Sequence, residues 1–140
     1  MAVMRLLLID DDTSAAMIAR AALEESWARR SIQGEITVCF NGVEAIAYLQ
    51  QAPTLPHVIL SDLKMPRIGG LELLKILKAN ARFLKIPVVI ITTSNNPSDI
   101  NAAWERQCAG YVLKVASYEE FADNLDKLQQ SWEAMRLPHV

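Results

Sequence analysis

Short apolar runs alternate with segments of helical periodicity five times along this 140-residue chain. Most of the runs lack the polar alternation of a half-exposed strand, as is typical of strands covered on both faces. They predict strands over residues 6–9, 35–40, 57–61, 88–91 and 110–113. Because neighbouring parallel strands need a crossover connection, a strand-then-helix unit repeated in this way favours a parallel sheet.

The segments between the runs have apolar residues at three- and four-residue steps, which predicts helices over residues 13–27, 43–51, 71–82, 97–108 and 118–135. Asp12 or Thr13 can cap the first helix, and Asn96 followed by Pro97 can cap the fourth. Runs 6–9, 57–61 and 88–91 are the most uniformly apolar, so we expect them at the centre of the sheet. Right-handed crossovers then give a doubly wound α/β fold in one domain, with helices on both faces.

The composition excludes several classes of function. A net charge of −2, from 14 basic and 16 acidic residues, lacks the basic excess of a nucleic-acid surface. No apolar run approaches the roughly 20 residues of a membrane span, and the first nine residues do not form a signal peptide. Cys39 and Cys108 lie far apart in apolar segments, which predicts buried free thiols in a reducing cytoplasm. We therefore expect a cytoplasmic protein without nucleic-acid or membrane partners.

Polar side chains follow four of the five predicted strands. In an open parallel sheet, ligands bind beyond the carboxyl ends of the strands, and these ends share one edge. The residues at that edge are Asp10 and Asp11 after the first strand, Asp62 after the third, Thr92 and Thr93 after the fourth, and Lys114 after the fifth. If the first and third strands are neighbours, three carboxylates meet in one crevice.

Carboxylates this close repel one another unless a cation neutralises them, and hard oxygen ligands suit Mg²⁺. A lysine and a hydroxyl at the same edge suit an anion, so the set fits phosphoryl transfer, in which an aspartate can be the nucleophile. Each residue also has a simpler interpretation, as a helix N-terminus, a turn residue, a cap or a solvated loop charge. The agreement of four strand ends favours the phosphoryl site.

Several motifs of the chain resemble those of a known family. The stretch S-D-L-K-M-P-x-x-x-G at residues 61–70 is the most specific motif, and LLLIDDD, NGVEAIAYL, IPVVIITTS and GYVLK accompany it. Together they resemble the receiver domain of bacterial two-component response regulators over essentially the whole chain. The resemblance implies a flavodoxin-like or receiver-like fold with strand order 2-1-3-4-5. It also implies a single receiver domain over residues 1–140, with a core at about 4–130.

The resemblance implies roles for the acidic residues. Asp62 matches the phosphorylated aspartate, and Asp10 and Asp11 match the acidic pair that holds Mg²⁺ in that family. Lys64, two residues after Asp62, would add its backbone carbonyl to the metal site. The expected cofactor is therefore Mg²⁺ bound by Asp10, Asp11, Asp62 and the carbonyl of Lys64.

The same resemblance implies that Thr92 and Lys114 contact the phosphoryl group, and that Thr92 and Tyr111 change conformation on activation. Two positions depart from the family pattern. Val115 follows the lysine where the family usually has a cis-linked proline, so the Lys114–Val115 bond is either trans or strained. Gly69 stands where an aspartate often precedes the loop glycine.

A narrower resemblance links the chain to small single-domain regulators paired with phytochrome-type histidine kinases. It rests on Thr-Thr-Ser after the fourth strand, the segment 28–34, and the tail reading Trp132 to Leu137-Pro138. It implies a histidine kinase as partner and a homodimer, formed through the fourth helix, fifth strand and fifth helix or through tail residues 131–140. The alternative for the tail is packing against its own domain.

Two other functions stay open from the residues alone. One is a phosphatase of the haloacid-dehalogenase type, with Asp10 as nucleophile and Asp12 as acid/base; the other is an interaction module that is no longer phosphorylated. Under the favoured interpretation the chain is a signalling switch without an output domain rather than an enzyme. His57 and His139 have no partner at metal-ligand spacing, so we predict structural roles for both.

Overall fold

The computed structural model describes residues 3–138. Five strands alternate with five helices along the chain. The strands are β1 (Met4–Ile9), β2 (Gly34–Cys39), β3 (Val58–Ser61), β4 (Val88–Thr92) and β5 (Gly110–Leu113). The helices are α1 (Thr13–Arg29), α2 (Gly42–Gln51), α3 (Gly70–Lys78), α4 (Pro97–Glu105) and α5 (Tyr118–Ala134).

The strands form one parallel sheet in the order β2-β1-β3-β4-β5. This confirms the predicted fold class and the strand order, and it places β1, β3 and β4 at the centre, where their uniformly apolar runs predict them. All four residues of β3 and all five of β4 are buried, which explains why neither run alternates with polar residues.

Each face of the sheet has its own apolar layer. One layer packs α1 and α5 against the sheet through large buried residues, among them Leu23, Trp27, Phe121 and Trp132. The other covers the opposite face with residues from α2, α3 and α4, among them Leu49, Leu73, Leu77 and Ala103. The two layers bury both faces of the sheet and hold its strand ends in fixed positions.

Two helices end earlier than their apolar periodicity predicts. Helix α3 ends at Lys78 rather than 82, because the Asn80 side chain accepts the Arg82 N–H at 2.8 Å and the chain enters a turn. Helix α4 ends at Glu105 rather than 108, and Gln107 follows in the left-handed region at φ 66°. In both cases local backbone chemistry overrides a helical pattern that continues in the sequence.

The tail packs partly against its own domain. Trp132 is 5% exposed and belongs to the core layer between the sheet and α5, and Leu137 lies against the same layer. Met135 is exposed. The self-packing alternative therefore holds for Trp132. His139 lies outside the described residues, whereas His57 contacts Arg5, whose backbone N–H donates to the imidazole Nδ1 at 3.0 Å.

A polar cluster connects the end of α1 to α5. Asp126 on α5 accepts bonds from Arg30 Nε and Nη2 at 2.9 Å each and from Ser26 Oγ at 2.6 Å. These hydrogen bonds, from Arg30 foremost and then Ser26, lower the pKa of the Asp126 carboxyl below its ordinary value. Arg30, which follows α1 as its C-cap, thereby connects this helix to α5.

Both cysteines are free and buried, as predicted. Burial raises the pKa of the Cys39 thiol to about 11 and also raises that of Cys108. Within residues 3–138, no helix has the length and apolar content needed to cross a membrane.

Candidate functional site

Four neighbouring strands deliver the predicted site residues to one edge of the sheet. Backbone hydrogen bonds continue the ladder just past the strand ends and set the register there: Asp62 N–H donates to Ile9 at 2.8 Å, and Lys114 N–H donates to Thr92 at 2.7 Å. Asp10, Asp62, Thr92 and Lys114 therefore follow the order of β1, β3, β4 and β5 along this edge. The expected convergence of the polar residues is present.

Three carboxylates lie together at this edge. One oxygen from each of Asp10, Asp11 and Asp62 lies within 4.8 Å of the other two. Asp10 is buried, Asp62 is half-buried and Asp11 is exposed, so the cluster opens to solvent on one side. Asp12 serves another purpose, because its carboxylate accepts the Ala15 N–H at 3.1 Å and caps α1. A set of carboxylate oxygens with an open side fits a hard divalent cation that retains water ligands.

Lys114 partly neutralises the cluster. Its ammonium donates to Asp10 Oδ2 at 2.7 Å and lies 3.4 Å from Asp62 Oδ2. Burial lowers the pKa of Lys114, but its hydrogen bond to Asp10 and the charges of both carboxylates outweigh that effect and raise it. For Asp62, burial raises the pKa, and the opposing charge of Lys114 does not cancel the increase. Lys114 therefore remains a cation within reach of any anion bound at Asp62.

The loop after β3 holds the Asp62 carboxylate in place. Leu63 N–H donates to Asp62 Oδ1 at 2.7 Å, and Ser61 Oγ donates to the Asp62 carbonyl at 2.9 Å. Gly70 begins α3 directly against this carbonyl, and a Cβ at position 70 would lie 2.5 Å from it. Only glycine permits this approach, which explains the glycine eight residues after Asp62 in the motif.

Ser94 is a residue of this region that the sequence did not single out for a role. Its backbone N–H donates to Thr92 Oγ1 at 3.2 Å, and its carbonyl accepts the Tyr111 hydroxyl at 2.9 Å. Ser94 therefore connects the two residues that the resemblance implies as a switch. A backbone carbonyl carries no side-chain signal, so only its position after the strand-end hydroxyls could have pointed to this contact.

Three further positions bear on the sequence predictions. The Lys64 ammonium points to α4 and lies 3.5 Å from Asp99 Oδ2, whereas the metal-binding role of its carbonyl stays a prediction. The Lys114–Val115 bond is trans, which decides between the two alternatives at that position. Gly69 is the N-cap of α3 and offers no side-chain hydrogen bond to this helix.

Residues 6–126 match the response regulator receiver domain. This chain is a member of that family. Receiver domains are signalling modules that partner with histidine kinases rather than classic enzymes, so the phosphatase interpretation with Asp10 and Asp12 is not supported. The capping role of Asp12 agrees with this, because its carboxylate is already engaged by the α1 N-terminus.

Two curated relatives illustrate the similarity of this receiver domain. Response regulator Rcp1 of Synechocystis sp. is 30% identical over 139 residues, which cover 95% of this chain and 92% of Rcp1. The probable methanogenesis regulatory protein FilR2 of Methanothrix harundinacea is 30% identical over 131 residues, covering 91% of this chain and 82% of FilR2.

Two solved structures extend the similarity to the fold. The phosphorylated cyanobacterial phytochrome response regulator RcpA superposes with a TM-score of 0.89 at 27% identity, over 98% of this chain and 99% of RcpA. The Mn²⁺-bound form of Rcp1 gives a TM-score of 0.85 at 29% identity, over 96% of this chain and 99% of that structure. The chain thus shares nearly its whole length with these two response regulators.

Proposed function

We propose that this protein accepts a phosphoryl group from a phosphohistidine of its kinase onto Asp62, with Mg²⁺ bound beside it, and thereby switches a protein-interaction surface. The observation that supports this most directly is the meeting of Asp10, Asp11 and Asp62 within 4.8 Å at an edge that also holds Lys114. The proposal treats the chain over residues 1–140 as a single receiver domain with a short tail.

The transfer is a displacement at phosphorus. A carboxylate oxygen of Asp62 attacks the phosphorus, the P–N bond to the kinase imidazole breaks, and the imidazole nitrogen takes the bonding electrons. Asp62 suits this role because the Leu63 N–H fixes one of its oxygens while its other oxygen faces Lys114. Water later attacks the same phosphorus, inorganic phosphate leaves, and the carboxylate is restored.

The remaining site residues balance the negative charge of the phosphoryl group. We assign Asp10, Asp11, Asp62 and the carbonyl of Lys64 to Mg²⁺, which when bound supplies positive charge for the phosphoryl oxygens. The Lys114 ammonium moves from its carboxylate partners to an oxygen of the phosphoryl group, and the Thr92 hydroxyl donates to another. Thr92 and Tyr111 then change conformation together, since both contact Ser94.

We further propose that the cognate kinase belongs to the phytochrome class and acts in the cytoplasm. The full-length similarity to RcpA and Rcp1 supports this assignment, because RcpA is described as a phytochrome response regulator. A phosphotransfer panel that pairs the protein with phytochrome and non-phytochrome kinases at equal concentration tests it. Transfer at equal rates from both groups would contradict the assignment.

A homodimer through α4, β5 and α5 is the third part of the proposal. Trp104 on α4 is 52% exposed, and residues of β5, α5 and the segment between them, among them Tyr111, Val112, Val115 and Leu128, line an open groove of about 530 Å³. Aromatic residues favour interfaces over open surface. Light scattering with and without beryllofluoride tests this, and a Trp104→Ala variant that dimerises like the wild type would contradict it.

The chemical proposal is tested with acetyl phosphate and Mg²⁺, followed by mapping of the acid-labile adduct. We expect one adduct on Asp62, its loss in Asp62→Asn, and its loss on chelation of Mg²⁺. Asp11→Asn should weaken Mg²⁺ binding without unfolding the protein, since Asp11 is exposed. An adduct on Asp10 or no adduct at all would overturn the proposal.

A further inference from the structure

Ser94 contacts a third element besides Thr92 and Tyr111. Its hydroxyl donates to Asp99 Oδ2 at 2.6 Å, the shortest contact made by any side chain of the β4–α4 loop. Asp99 lies in the first turn of α4, so the bond closes the loop onto the helix that follows it. Ser94 thus holds the loop at Thr92, where β4 ends, and at Asp99 in α4.

Asp99 also contacts the loop after β3. The Lys64 ammonium lies 3.5 Å from the carboxylate oxygen that accepts the Ser94 hydroxyl, and the Asp99 side chain is only 18% exposed. Lys64 follows Asp62 by two residues. Asp99 therefore connects the loop of the proposed acceptor, the loop of the proposed switch residues, and α4.

We propose that Asp99 is a positioning residue that, through Ser94, holds the β4–α4 loop in the conformation of the unphosphorylated protein and so opposes phosphorylation. This inference rests on the proposed function of Asp62. Asp99 lies outside the metal and phosphoryl sites, yet it contributes to the free-energy difference between the unphosphorylated and phosphorylated states.

The contacts to Thr92, Tyr111 and Asp99 are coupled because all three are made by Ser94. Ser94 N–H donates to the Thr92 hydroxyl. Under the proposed function, movement of Thr92 toward a phosphoryl group on Asp62 therefore also displaces Ser94. The Ser94 hydroxyl and carbonyl must then leave Asp99 and Tyr111, and a charge-assisted hydrogen bond is among the stronger contacts to lose. A contact present in only one state shifts the equilibrium toward that state by its own free energy.

The test measures the half-saturating beryllofluoride concentration, with Mg²⁺ held constant, for the full chain and its variants. Asp99→Ala and Ser94→Ala should each bind beryllofluoride about three- to tenfold more tightly than the wild type, as expected for a modest coupling. The double variant should gain no more than either single variant, because both remove the same bond. Asp99→Asn retains an acceptor for the Ser94 hydroxyl and should lie closer to the wild type.

A matched control comes from α5. Asp123→Ala removes an exposed carboxylate that pairs with Lys127 at 3.0 Å, so it repeats the charge change without touching the loop. Lys64→Gln removes the ammonium and keeps the backbone carbonyl, and it should have a smaller effect in the same direction as Asp99→Ala.

Amide spectra separate positioning from a merely structural role. In Asp99→Ala without beryllofluoride, the loop resonances should move toward their beryllofluoride-bound positions, which a simple loss of stability would not cause. Unchanged or weaker beryllofluoride binding in both folded single variants would overturn the inference, as would additive effects in the double variant. Failure of the wild type to bind beryllofluoride or to accept a phosphoryl group would instead overturn the proposed function itself.

Discussion

The ammonium of Lys114 lies 2.7 Å from Asp10, closer than the 3.4 Å that separates it from Asp62. Asp10 is almost fully buried, so this contact neutralises a carboxylate that has little access to water. The lysine therefore has a structural partner in the resting state, distinct from the residue proposed to receive the phosphoryl group.

Lys114→Met should destabilise the metal-free protein by about 2–4 kcal/mol, since it leaves a buried carboxylate unpaired beside two others. Added Mg²⁺ should recover part of this loss and should bind more tightly than to the wild type, because the competing positive charge is gone. Urea unfolding at several Mg²⁺ concentrations measures both effects. Lys127→Met, at an exposed pair on α5, is the control and should change stability by less than about 1 kcal/mol. Equal losses in the two variants would contradict the structural role of Lys114.

Gly70→Ala should destabilise the fold by about 1–3 kcal/mol and slow phosphorylation of Asp62, because the new Cβ would lie 2.5 Å from the Asp62 carbonyl. Thermal unfolding and the rate of acetyl phosphate labelling measure the two effects. Gly110→Ala is a matched control, since its Cβ would meet the Val89 side chain at 3.4 Å, close to ordinary contact. A Gly70→Ala protein with wild-type stability and labelling would show that the loop relaxes freely.

The Asp126 cluster predicts a specific acid sensitivity. Hydrogen bonds from Arg30 and Ser26 lower the pKa of Asp126 in the folded state, so its stabilising contribution is complete above the ordinary carboxyl pKa of about 4. The contribution is lost as the pH falls below that value toward the folded pKa. Asp126→Asn should therefore cost about 1–2 kcal/mol at pH 7 and progressively less below pH 4. Urea unfolding between pH 3 and pH 7 measures the difference, and a gap that widens on acidification would refute the assignment.

The two thiols should be unreactive in the folded protein. Burial raises the pKa of Cys39 to about 11 and raises that of Cys108, so little thiolate is present at pH 8 and neither sulfur is accessible. A disulfide reagent such as Ellman's reagent should label no thiol at pH 8 until guanidinium unfolds the chain, and then label both. Rapid labelling of either cysteine under native conditions would contradict the burial.

The residues that meet at the carboxyl ends of the strands can be predicted from the sequence for a physical reason. Parallel strands have their carboxyl ends on one side, so Asp10, Asp62, Thr92 and Lys114 converge once the alternation of strands and helices is recognised. The hydrogen-bond partners of these side chains depend instead on the geometry of the loops. The preference of Lys114 for Asp10 and the contact between Ser94 and Tyr111 follow from distances that no pattern encodes.

Helix ends and helix contacts were less predictable for a different reason. The apolar periodicity past Lys78 continues in the sequence, and only the turn formed by Asn80 ends α3. The pairing of Arg30 with Asp126 joins residues 96 positions apart and depends on how α1 and α5 pack. Local patterns specify elements, whereas such contacts appear only when the elements are assembled.

The first and fifth strands supply the two ends of the Asp10–Lys114 contact, which spans 104 residues of sequence. A growing chain on the ribosome therefore holds its first acidic pair long before it holds the matching lysine. Because β3 and β4 lie between β1 and β5 in the sheet, the contact forms only once all four of these strands have assembled.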